Sequence, residues 1–198
     1  MKRSLMLTAA AMLLAGGAAN AHELKGTWSF VGNDNCVMGG PFPNNDSGSP
    51  AQSTNFVVNG GVQGFAIFNG DGTGTITIGG SWVQARYIAN IIPGIGGYTA
   101  VDHFSAYTYS ATIAFTYTVT GDEFTLTETS NTGTLSGLGA FTVTGVPTFN
   151  GTISENRPPV LQTATGTPAQ ETWTFGPIGL GPLAALCVRT RTLTKVKD

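Results

Sequence analysis

The chain reads as an all-β protein: a single antiparallel β-barrel of about eight to ten strands, with a β-sandwich as the alternative arrangement. Three observations predict this. No window outside the N-terminal leader keeps apolar residues at i, i+3, i+4 and i+7 over three turns. Strict alternation of apolar and polar residues recurs along the chain and reaches its longest run in "AYTYSATIAFTYTVTG" (106–121). The segments between are short Gly, Asn and Asp turns, which suit hairpins and not parallel crossovers.

The first 21 residues, MKRSLMLTAAAMLLAGGAANA, stand apart. Lys2 and Arg3 precede an apolar run from Leu5 to Ala15, too short to span a bilayer. Ala19-Asn20-Ala21 is a small-x-small cleavage site. Residues 1–21 therefore read as a signal peptide, and 22–198 as one exported domain, secreted or periplasmic.

The strand signals follow in order. "KGTWSFVG" (25–32) alternates, with Trp28 and Phe30 on one side. "GFAIFN" (64–69) and "TGTITIGG" (73–80) flank "NGDG", and "SWVQARYIAN" (81–90) continues. In 106–121, Tyr107, Tyr109, Ala111, Ile113, Phe115, Tyr117 and Val119 share one face, and hydroxyl residues dominate the other. One face buried and one wet explains the pattern. "FTLTET" (124–129), "AFTVTG" (140–145), "TFNGTIS" (148–154), "ETWTFG" (171–176) and "CVRTRTLTKV" (187–196) complete the set. Residues 36–53 and 155–169, rich in Pro, Gly and polar residues, read as long loops.

Charge narrows the function. With 9 basic and 11 acidic residues and a net charge of −2, no basic patch is available for nucleic acid or anionic lipid. No later stretch is long and apolar enough for a transmembrane helix. An outer-membrane barrel is disfavoured, because the polar faces lack a lipid-facing apolar band.

The two cysteines, Cys36 and Cys187, lie near opposite ends of the mature chain. Export favours their oxidation. In an up-and-down barrel the first and last strands are neighbours, so this bridge would fasten the seam.

"FNGDGTGTITI" (68–78) resembles chemistry at first sight. Placed on an EF-hand loop, Asn69, Asp71 and Thr73 take positions 1, 3 and 5, and Gly74 takes 6. Position 12 is then Gly80, where a bidentate Glu is needed. No Lys-Ser/Thr or helix follows to make a phosphate loop. Asn-Gly and Asp-Gly are instead strong hairpin-turn dipeptides.

Gly26-Thr27-Trp28 on the first strand and Arg189 and Arg191 on the last resemble the lipocalin and wider calycin pattern. There a Gly-x-Trp packs against an Arg from the last strand. The similarity covers those two ends and lacks the family's middle Thr-Asp-Tyr motif. It implies an eight-stranded barrel whose mouth binds small apolar ligands. The candidate ligand-binding residues are Trp28, Arg86, Tyr107, Tyr109, Phe115 and Tyr117: apolar walls with a few polar tips.

The function expected is a non-catalytic binding protein for a small apolar ligand, without a cofactor. A structural or adhesive surface protein is the first alternative. A copper protein is the second: His22, exposed by cleavage after Ala21, could chelate a metal through its amine and imidazole, with His103 as a third nitrogen. This resembles the histidine brace of secreted copper proteins. No Gly-x-Ser-x-Gly elbow is present, and Asp122-Glu123 would point to opposite faces of a strand, so no catalytic residue is assigned.

Overall fold

A computed structural model describes residues 24–41, 53–87, 101–154, 158–166, 169–176 and 182–196. Ten strands account for nearly all of them: β1 Lys25–Pro41, β2 Ser53–Asn69, β3 Thr73–Tyr87, β4 Val101–Thr120, β5 Glu123–Leu135, β6 Gly139–Thr144, β7 Thr148–Ser154, β8 Val160–Thr165, β9 Ala169–Phe175 and β10 Leu183–Lys195. Every pairing is antiparallel. β1 pairs with both β2 and β10, so the sheet closes on itself as a barrel-like ring of eight strands. Closure removes the open edges that would template aggregation.

The ring is a meander with two staves broken in the middle. β5 pairs with β6 through Asn131–Leu135 and with β7 through Glu123–Thr127. β10 pairs with β9 near Leu183–Cys187 and with β8 near Thr190–Thr194. Thus β6 and β7 together occupy one stave, and β8 and β9 the next. Gly145-Val146-Pro147 makes the first break: Gly145 has φ 74°, and Pro147 has no N–H to give a ladder.

Side chains follow the alternation. Trp28, Phe30, Cys36 and Met38 of β1 point inward, as do Ile76, Ile78 and Trp82 of β3. β4 is one strand of 20 residues. Its Tyr109, Ala111, Ile113 and Phe115 are buried, while Thr108, Ser110, Thr112 and Thr116 are exposed. The turn at 70–72 is the hairpin that Asn-Gly and Asp-Gly predict, with Gly70 and Gly72 at φ 80° and 85°. Asp71 Oδ1 accepts from the N–H of Thr73 at 2.9 Å and from its hydroxyl at 2.6 Å. These bonds hold the exposed Asp71 carboxyl below the usual carboxylate range.

Two loop assignments are corrected. Residues 36–41, composed like a loop, are the end of β1, because they pair with β2 throughout and with β10 as far as Gly39: Cys36 stands opposite Cys187 and opposite Val58. Within 155–169 lies β8, whose Leu161, Thr163 and Thr165 face inward between β7 and β10. Its short run is masked in the sequence by the prolines and glycine around it.

The expected bridge is formed: Cys36 and Cys187 are disulfide-bonded, with Cα atoms 4.1 Å apart. It joins directly paired residues of β1 and β10 and stands across the seam. The strand connections sort by end. The turns 70–72 and 121–122 lie at one end, and β1 ends and β10 begins at the other.

Candidate functional site

Inside the ring lies a belt of charge. Arg189 of β10 stands opposite Asp34 of β1, and both are buried. Arg189 Nε lies 3.4 Å from Asp34 Oδ1, and Arg191 NH2 lies 2.6 Å from the same oxygen. These are ion pairs without hydrogen-bond alignment, since Asp34 Oδ1 has no hydrogen-bond partner. Arg189 also donates both terminal nitrogens to Glu171, NH1 to Oε1 and NH2 to Oε2, the second at 2.7 Å. That is the bidentate fork for which guanidinium is shaped. Trp173 Nε1 donates to Glu171 Oε2 at 3.0 Å, and the Tyr109 hydroxyl donates to Asp34 Oδ2 at 3.1 Å.

Glu128 is the third carboxylate. In a regular strand Glu128 and Asn131 would face opposite sides. A bulge between the pairs Ala114–Ser130 and Phe115–Glu128 adds Thr129 and turns both inward. Asn131 Nδ2 then donates to Glu128 Oε2 at 3.3 Å. Burial pushes the Glu128 carboxyl up to about 7, against the pull of Arg189 and Arg191. Burial opposes the charge of Arg189, but hydrogen bonds and charge from Glu171, with Asp34 and Glu128, outweigh it and raise its pKa. Burial, then the charge of Asp34, raises the Tyr109 phenol.

Aromatic clusters sit on either side of this belt. Phe68 meets Trp28, Phe115, Tyr117 and Phe124 at centroid distances of 5.8, 5.1, 5.0 and 6.1 Å. Toward the other end Trp82 meets Tyr109 at 4.4 Å and Trp173 at 5.1 Å, and Phe141 meets Trp173 at 4.8 Å. Glycine makes room for them. A Cβ on Gly80 would lie 2.7 Å from the Tyr109 ring, and one on Gly60 would strike Trp82. Among the described residues two voids lie beside Glu128, of about 20 and 10 Å³. Each holds one water at most.

The expected ligand-binding residues are distributed as follows. Trp28, Tyr109 and Phe115 are buried in the packing just described. Tyr117 is half-buried and donates its hydroxyl to Leu24 O at 2.6 Å; Tyr107 is half-buried beside the core. The Arg86 side chain lies outside the described set, although its backbone stands opposite His103. The His103 side chain and all of His22 also lie outside it, so the copper reading is not placed. Among the described residues no group of three or more His, Cys, Asp or Glu could hold a metal.

Trp28 stands opposite Lys195. Arg189 and Arg191 stand opposite Asp34 and Gly32, and their charged groups turn to the buried carboxylates. Asp34, Glu128 and Glu171 were not singled out in the sequence. Their signal was phase: Asp34 shares parity with Trp28 and Cys36, Glu171 with Trp173, and Arg189 with Cys187 and Leu193.

The outside has two characters. Over β3, β4, β5, β6 and β9, exposed threonines align in one row: Thr77, Thr112, Thr132, Thr142 and Thr174 are successive cross-strand partners. A second row joins Thr73, Thr116, Thr127 and Thr148. Over β10, β1, β2 and β3 the exposed residues include Val31, Val37, Phe65, Ile67, Val83, Leu186 and Val188.

Compared with known proteins, the chain matches no family model, no curated protein and no solved structure. Among the described residues no helix is long and apolar enough to cross a membrane.

Proposed function

We propose that this chain is an exported, non-catalytic barrel that works through its outside, as a structural or adhesive surface protein. One observation carries the reading: among the described residues the interior is occupied by aromatic side chains and a paired charge belt, and the voids beside Glu128 measure about 20 and 10 Å³. A small-molecule pocket commonly has about 300–1,000 Å³. The outer threonine rows offer donors and acceptors at the regular spacing of a sheet, without charge. Such a face suits a neutral hydroxylated surface, of the kind a polysaccharide presents.

The test is retention of the disulfide-bonded protein on a neutral polysaccharide film. The wild type is expected to be retained, and the triple variant Thr112→Lys, Thr132→Lys, Thr142→Lys to lose retention while keeping its far-UV spectrum. Equal retention of both proteins, or none of the wild type, overturns the reading.

The small apolar ligand is the second reading. It draws on the buried indole nitrogens of Trp28 and Trp82, which have no hydrogen-bond partner and would donate to a mainly apolar ligand that carries an acceptor oxygen. It requires the packed interior to open and Trp28, Tyr109 or Phe115 to move. A molecule co-purifying at one per chain would support it over the surface reading.

A further inference from the structure

We infer that the apolar outer face over β10, β1, β2 and β3 is an interface with a second copy of this chain. The face holds two apolar clusters. Val31, Phe65 and Ile67 form one toward the 70–72 turn; Val37, Val83 and Leu186 form the other toward the opposite end. All six are between 47% and 59% exposed. Contiguous exposed apolar area of this kind marks an interaction site more often than bare surface.

Between the clusters the surface drops into a dent lined by Gly61, Gly79 and Ser81 among others. Gly61 and Gly79 point outward, and the fold does not require either to be glycine. Neither has a positive φ, a Cβ on Gly61 would meet nothing within 4 Å, and one on Gly79 would meet only Tyr109 O at 3.9 Å. The inward glycines, such as Gly60 and Gly80, answer to the core; these two answer to whatever comes close from outside.

A second copy is the occupant that fits. A two-fold axis lying across the strands at the dent places each apolar cluster on the other cluster of the partner, as an isologous contact needs. Among the described outward residues of these four strands only Lys25, at the edge, is charged. Such a neutral face does not repel its own copy. From Val57 to Ile67 along β2, and across four strands, the face measures roughly 33 by 19 Å, or about 600 Å² before side-chain relief. A standard interface takes about 800 Å² from each partner, so a dimer on this face needs side-chain relief and the flanking threonines to add about 200 Å² to the sheet area.

The inference goes beyond the surface-protein reading, and its test reads oligomeric state, not adhesion. The disulfide-bonded chain is followed by analytical ultracentrifugation across the micromolar range. The wild type is expected to sediment as a dimer. Gly61→Lys, which fills the dent, and the milder pair Phe65→Thr with Val83→Thr are each expected to weaken association by about a hundredfold, as loss of an interface centre does. Thr132→Lys, on the opposite face, should leave the dimer intact. Far-UV spectra and thiol titration confirm that each variant is folded and bridged, and the threonine pair keeps β-forming residues should the lysine variant fail to fold. A monomeric wild type overturns the inference, as does a dimer unmoved by the face variants or dissolved equally by Thr132→Lys.

Discussion

Glu128 shows how one buried residue can set the response of the molecule to pH. Two carboxylates, Asp34 and Glu171, face two guanidiniums, Arg189 and Arg191, in the belt. Glu128 is a third carboxylate, whose hydrogen bond comes from Asn131 and not from an arginine. Its carboxyl is raised from 4.5 to about 7, first by burial, with Glu171 adding repulsion and Arg189, Arg191 and Asn131 opposing. The sign follows from linkage. Below pH 4.5 the folded and unfolded states both hold the proton and stability is full. As pH rises from 4.5 to about 7 the unfolded chain ionises first and folding loses ground, by on the order of 3 kcal/mol in total. Glu128→Gln should abolish this loss, so urea midpoints at pH 5 and pH 8 should differ less in the variant than in the wild type. A wild type whose stability does not fall over that range would contradict the assignment.

At the scale of elements, two devices hold the seam. The first is the Cys36–Cys187 bridge, which closes a sequence separation of 151 residues. Replacing both cysteines with serine should cost about 2–5 kcal/mol, read as a lower denaturation midpoint. Thiol titration of the denatured, unreduced wild type should find none free. The second device is Arg189, which ties β10 to β1 through Asp34 and to β9 through Glu171. Arg189→Met would leave the buried Glu171 without its cation and Asp34 with Arg191 alone, at a cost of about 3–5 kcal/mol. Measured by chemical denaturation, a loss near zero would mean that the belt is wetter than its burial implies.

The elements also show how far sequence reaches. β4 was legible because its inward side chains are mostly large and its outward ones mostly hydroxylated over a dozen residues. The end of β1 was not, because Gly39-Gly40-Pro41 has the composition of a loop while its pairing is decided by β2 and β10, far away in sequence. β8 was hidden by Pro158, Pro159 and Gly166 around six residues. The Glu128–Asn131 contact was out of reach of periodicity, since it depends on a bulge that shifts parity within β5. Charges in phase with apolar residues, at Asp34, Glu171 and Arg189, were readable as inward-facing; which of them pair needs the ring to close.

At the scale of the whole molecule, the described interior is packed, and the proposed function belongs to the outside. Aromatic clusters occupy both ends of the barrel, the charge belt occupies the middle, and the bridge locks the seam. The exterior divides into hydroxyl rows and an apolar face. The most direct measurement is native mass spectrometry of the protein purified from the cells that produce it. The mass predicted is that of the processed polypeptide less two hydrogens for the disulfide, as a single copy or a multiple of it, with nothing else bound. A further mass of a few hundred daltons on every chain, released by organic solvent, would mean that the barrel holds a small molecule after all, and would contradict the central claim.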